Sequence, residues 1–186
     1  MKKILTFGFL TYFAVSVGFA QNSDPETLQY KLLATTRTST MQKEINETAA
    51  QGYRIIVGAP TSGSEMALFL SRDGTVKDPY EYKLLATTRT GTMQKELNEA
   101  ADVGFRLIPS TMIAKKQMFG GVEIVMILER VPNHKKNYEY KLLATSRTST
   151  MQKEVTEAKN AGFFVVGMVS RDEHMVVMER EVNLRP

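Results

Sequence analysis

Arg37, Thr38, Thr40 and Lys43 fall within one seven-residue stretch, and the set returns as Arg89, Thr90, Thr92 and Lys95, then as Arg147, Thr148, Thr150 and Lys153. A guanidinium just ahead of a helix, hydroxyls at its start and an ammonium on its first turn have one evident chemistry. Together with the free amides and the positive end of the helix dipole, they make an anion site. Three such sites suit an acidic polymer or acidic glycan, with avidity gained through repetition. A structural reading stands beside this one. Arg37, Arg89 and Arg147 then pair with carboxylates of a neighbouring repeat, and Glu129 and Glu179 are the candidates in the second and third copies. Recent duplication, copying the segment without selection on it, is the third explanation.

The segment itself is YKLLATTRTSTMQKE at 30–44, YKLLATTRTGTMQKE at 82–96 and YKLLATSRTSTMQKE at 140–154, with thirteen of fifteen positions identical. Downstream, Ile45/Leu97/Val155 and Ile55/Leu107/Val165 keep only apolar character, which is all that packing demands. Identity at Arg, Thr, Gln, Lys and Glu asks for a further cause.

Other chemistry is thin. His134 sits in the charged run Asn133-His-Lys-Lys136 and His174 at a hairpin turn, and neither has a triad partner in sequence. No His, Asp or Glu set has metal-ligand spacing. Gly120-Gly121 lacks the lysine of a phosphate loop. Glu44 and Glu47 lie one turn apart on an outer helix face, as exposed helix charges do. The reading therefore assigns no catalytic residue, no metal and no cofactor. With no cysteine in the chain, neither disulfides nor thiol chemistry are available.

The elements that must position these residues follow from periodicity. Each copy opens on a short apolar strand such as Tyr30-Lys-Leu-Leu-Ala-Thr. The Thr/Ser cluster that follows is suited to capping a helix, with Ser39 and Gln42 at capping-box spacing and Thr90 or Thr92 taking the role beside Gly91. Apolar residues then recur at helical spacing: Met41, Ile45, Thr48 and Ala49; Met93, Leu97, Ala100 and Ala101; Met151, Val155 and Ala158. Gly52, Gly104 and Gly162 end the helices as left-handed caps, each before an aromatic residue. Two strands follow, at 163–169 and 175–180 in the third copy, and at 122–130 to close the second. Residues 122–130 are apolar on both faces, so both faces should be covered, one by a neighbouring repeat or another chain. The right-handed crossover and the final hairpin give strand order 1-3-2. The long segment 109–121 (PSTMIAKKQMFGG) reads as a lid folded over the sheet.

Asn46 on the first helix with Gly52-Tyr53-Arg54-Ile55 after it, and Asn98 with Gly104-Phe105-Arg106-Leu107, resemble a bacterial domain family of unknown function. That family has short β-α-β-β units, a helix asparagine and a Gly-Trp-Glu-Leu-like exit. The resemblance covers most of each repeat and implies a fold without an activity. The chain departs from it with Tyr or Phe for tryptophan and Thr156 for the third asparagine.

Residues 1–20 (MKKILTFGFLTYFAVSVGFA) have a basic start, an apolar run and small residues at Gly18 and Ala20, the layout of a secretory leader cut before Gln21. The Met-Lys-Lys opening has a bacterial character, and the destination is the periplasm or the outside medium. Loss of Lys2 and Lys3 lowers the formal charge from +4 to about +2, so the basic balance belongs partly to the leader and is weak evidence for nucleic acid, which needs a clustered basic face. The expected layout is leader 1–20, linker 21–29, repeats 30–74, 82–131 and 140–181, linkers 75–81 and 132–139, and tail 182–186. The expected fold is α+β: three tandem β-α-β-β repeats merged into one body, with pseudo-threefold symmetry as one arrangement. The expected function is binding or assembly of an exported, non-enzymatic protein, with an acidic polymer or another protein as partner. Its alternatives are a structural scaffold or homo-oligomer and, more remotely, a hydrolase of extracellular polymers.

Overall fold

The computed structural model describes residues 28–72, 74, 80–117, 120–131 and 136–182. The expected leader at 1–20, His134, Met118, Phe119 and residues 183–186 lie outside the described residues. The chain is α+β, and its elements fall into three units, each with its own sheet.

The first unit runs β1 (Gln29–Thr35), α1 (Thr38–Ala49), β2 (Arg54–Pro60) and β3 (Met66–Arg72). The second runs β4 (Glu81–Thr87), α2 (Thr90–Asp102), β5 (Arg106–Leu107), a 3-10 turn (Pro109–Thr111), β6 (Ile113–Lys116) and β7 (Val122–Arg130). The third runs β8 (Asn137–Thr145), α3 (Thr148–Asn160), β9 (Phe164–Ser170) and β10 (His174–Val182). Each sheet has its last strand in the centre: β1-β3-β2, β4-β7-β5 and β8-β10-β9. This is the order that a right-handed crossover and a closing hairpin require.

The helices bury the faces their spacing marks: Met41, Ile45, Thr48 and Ala49 in α1, and Met93, Leu97, Ala100 and Ala101 in α2. Gly52, Gly104 and Gly162 take φ of 84°, 87° and 86° just past the helices, a conformation that a side chain would strain.

Packing runs along the chain. The helix α1 lies against β1 of its own unit and β4 of the next, and α2 lies against β4 and β8. One buried cluster joins Leu33, Met41, Ile45 and Leu70 to Tyr82, Val125 and Ile127. Another joins Met93, Leu97, Met126 and Leu128 to Tyr138, Tyr140 and Val177. The central strand β7 thus fills both clusters, one from each face, which is why its sequence does not alternate. The third helix packs on β8 and β9 of its own unit over a smaller cluster of Leu143, Met151, Ala158 and Phe163. Among the described residues no buried cluster joins the first unit to the third; each cluster that crosses units joins neighbours in sequence.

Two local expectations are corrected. The helices begin at Thr38, Thr90 and Thr148, with Arg37, Arg89 and Arg147 at the N-cap positions and no side-chain cap. The Ser39–Gln42 capping box does not form, because Gln42 is turned to the next unit. The hydroxyls of Thr35, Thr87 and Thr145 instead accept from the backbone N–H of Arg37, Arg89 and Arg147, at 3.3, 3.1 and 3.1 Å. Segment 109–121 is also no lid: its middle becomes β6, a fourth strand paired to β7. Lys115 hides that alternation in sequence. It is buried, with its ammonium 3.0 Å from Thr36 O and 3.3 Å from Glu123.

Candidate functional site

The arginines of the repeated segment stand in water. Arg37, Arg89 and Arg147 are exposed, and among the described residues their guanidinium groups make no hydrogen bond or ion pair. The pairing expected between these arginines and Glu129 or Glu179 does not occur. Lys43, Lys95 and Lys153 lean down their helices toward Glu47, Glu99 and Glu157, four residues on, at 3.7, 3.6 and 3.9 Å. Such exposed pairs contribute a few tenths of a kcal/mol, about 0.3–0.5. Of the threonines, Thr38 and Thr40 are half-buried, Thr92 and Thr148 exposed, and Thr150 half-buried. Among the described residues Thr90 alone of the six is bonded across units: its hydroxyl donates to Glu173 at 3.3 Å and accepts from Arg171 at 3.2 Å. The expected residues thus form three separate helix starts.

The glutamine inside the same segment does something different. Strand β4 is a sheet edge, and the Gln42 amide closes it like a missing strand residue. Its Nε2 donates to Tyr82 O at 3.0 Å, and its Oε1 accepts from Leu84 N–H at 2.7 Å. Gln94 treats edge strand β8 in the same way, donating to Tyr140 O at 2.7 Å and accepting from Leu142 N–H at 2.6 Å. Asn98, one turn on, donates to Tyr140 O at 3.1 Å and accepts from Tyr140 N–H at 2.8 Å. Asn46 accepts from Gln42 at 3.0 Å and so steadies the fork. An unpaired edge is otherwise a template for foreign strands.

Two further contacts lie at each junction. The hydroxyls of Tyr82 and Tyr140 accept from the buried N–H groups of Ile55 and Leu107, at 3.2 and 2.8 Å. Burial pushes both phenols well above their ordinary ionisation range, against the lowering effect of those backbone bonds. Arg54 grips Glu129 with two bonds, the shorter 2.6 Å, and Arg106 grips Glu179, the shortest bond being 2.8 Å. Those bonds raise both guanidinium pKa values against the cost of burial. Each guanidinium also lies over a ring of the next unit, Arg54 over Tyr80 at 4.7 Å and Arg106 over Tyr138 at 4.3 Å. The second pair is the deeper: Glu179 is buried and accepts from the Tyr140 hydroxyl at 2.7 Å. Both pairs line one open cleft of about 320 Å³.

A third set works within units. Arg72, Arg130 and Arg180 lie over the rings of Tyr53, Phe105 and Phe163, the aromatic residues after the glycines, at 5.2, 4.8 and 4.5 Å. Each also donates to a carbonyl at the helix end, Gln51 O, Val103 O and Ala161 O, where a cation is favoured. The identical residue in all three copies is the signal by which these could have been found.

No family model, curated protein or solved structure matches this chain.

Proposed function

We propose that the protein is an exported, non-catalytic assembly protein whose repeated polar segment joins one β-α-β-β unit to the next. The observation that carries this reading is the amide fork of Gln42 and Gln94. Each binds a backbone carbonyl and a backbone N–H of the following unit at once. Such a contact needs an amide at that reach, which accounts for identity where packing would accept many residues. The likeness to the bacterial family of short β-α-β-β units belongs to the same proposal, since its helix asparagine sits at the junction as Asn98. Hydrolysis fits less well: Glu129 and Glu179 share a cleft, yet each carboxylate is gripped by a guanidinium.

Binding of an anionic polymer is the second reading, favoured by the exposed guanidiniums of Arg37, Arg89 and Arg147, which have no hydrogen-bond or ion-pair partner among the described residues. One comparison separates the two. The triple variant Arg37→Ala, Arg89→Ala, Arg147→Ala and the double variant Gln42→Ala, Gln94→Ala are melted and titrated with inorganic polyphosphate. Assembly predicts a lowered melt in the glutamine variant alone and no saturable binding by any form. Saturable binding to the wild type that the arginine variant loses would overturn it in favour of the second reading.

A further inference from the structure

The first and third units expose opposite halves of the contact that joins the units. Helix α3 carries Gln152 where α1 and α2 carry Gln42 and Gln94, yet among the described residues its amide reaches only Thr156 Oγ1, at 3.5 Å. Beside it lies an open, mostly apolar hollow of about 370 Å³ lined by Thr148, Met151, Gln152, Val155, Met168 and His174. At the other end of the chain, β1 is an edge strand whose Tyr30 and Leu32 match Tyr82 and Leu84 in register. Tyr30 is 57% exposed where Tyr82 is 6% and Tyr140 is 2%. Val165 is 51% exposed where its counterparts Ile55 and Leu107 are 5% and 4%.

We propose that these two ends are one interface between copies of this chain, joined head to tail. Helix α3 and strand β9 of one copy receive β1 and β3 of the next. Gln152 donates to Tyr30 O and accepts from Leu32 N–H, and the Tyr30 hydroxyl accepts from Val165 N–H. The proposal rests on the reading of the repeated segment as a joint, because it extends the two joints already inside the chain by one more.

A second copy is the occupant that the residues fit, because the two ends change together. Inside the chain an arginine (Arg54, Arg106) meets a glutamate (Glu129, Glu179) and a tyrosine (Tyr80, Tyr138). At the ends the arginine position holds Phe164, the glutamate position Ser71 and the tyrosine position Leu28. Charge is lost from both halves at once, so docking buries no unpaired charge. In its place Phe164 meets Leu28 and the Tyr30–Phe69 ring pair, whose centroids are 5.6 Å apart; all four side chains are exposed. Contact with water alone gives no reason for three positions on two different units to agree. An interface of this kind is heterologous, so copies continue into a chain or close into a ring.

The test uses the chain purified after export, with Leu32→Lys and Met168→Lys as single variants. Both residues are exposed, and unchanged melts check that both variants fold. In sedimentation velocity the wild type is expected to gain mass with concentration while each variant stays monomeric. The Leu32→Lys chain keeps a working α3 end and the Met168→Lys chain a working β1 end, so an equimolar mixture is expected to form a dimer and stop there. A wild type that is monomeric at every concentration overturns the proposal. So does association that neither variant stops, or a mixture that stays monomeric. Melts of Gln42→Ala and Gln94→Ala report on the internal joints separately, so self-association can fail while that reading stands.

Discussion

Gln42 and Leu84, 42 residues apart in sequence, meet at 2.7 Å, with the Leu84 backbone N–H donating to the Gln42 side-chain oxygen. The same glutamine donates to Tyr82 O, so one side chain stands in for a strand residue along the edge of β4. Gln94 repeats this on β8. The repeated segment thereby links a helix start in one unit to the first strand of the next.

If these forks hold the units together, Gln42→Ala and Gln94→Ala should each destabilise the protein by about 1–3 kcal/mol, the cost of leaving part-buried backbone groups unpaired. At this chain length each kcal/mol lowers the melting midpoint by about 2–4 °C. Gln152→Ala, in the monomer, should stay within about 0.5 kcal/mol of the wild type, as exposed substitutions do. Calorimetry of the three variants at low concentration checks the contrast.

The three exposed arginines should behave differently. Arg37→Ala, Arg89→Ala and Arg147→Ala remove exposed side chains with no hydrogen bond or ion pair among the described residues, so each should shift stability by less than about 0.5 kcal/mol. Chemical denaturation of the triple variant measures this directly.

The two ion pairs should be unequal. Glu179 is buried and bound by both Arg106 and Tyr140, whereas Arg54 and Glu129 meet nearer the surface. Arg106→Ala leaves a buried carboxylate short of its charged donor, with an expected loss of about 1.5–3 kcal/mol. Arg54→Ala should cost about 0.2–1 kcal/mol. Urea midpoints of the two variants at neutral pH give the ratio.

Alkali should weaken the fold through Tyr82 and Tyr140. Their phenols ionise higher in the folded chain than in the unfolded one, chiefly because they are buried. Their contribution is complete below the ordinary tyrosine value of about 10 and is lost as pH rises from there toward the folded values. The slope approaches about 1.4 kcal/mol per pH unit for each tyrosine. Tyr140→Phe should lower stability at neutral pH, where Leu107 N–H loses its acceptor, and flatten the alkaline decline. Melts between neutral pH and strong alkali follow both effects.

Much of the architecture was legible because local pattern and tertiary packing agree in it. The bounds of β7, the buried faces of α1 and α2 and the three left-handed glycines follow from periodicity and steric rules. The junction was not legible, because Gln42 suits a local capping box equally well, and only tertiary structure brings the edge of β4 within its reach. Its trace in sequence lies in what the copies do not share: Arg54 and Arg106 against Phe164, and Glu129 and Glu179 against Ser71. Strand β6 was hidden by the buried Lys115, whose charge Glu123 and Thr36 O compensate.

Hydrogen exchange at three leucine amides in equivalent positions tests the joint most directly. In dilute protein, the Leu84 and Leu142 N–H groups should be protected and Leu32 N–H, on the open edge of β1, should exchange freely. Gln42→Ala should release Leu84 and leave Leu142 protected. Equal protection of Leu32 in the monomer, or a Leu84 amide that stays protected without Gln42, would contradict the account.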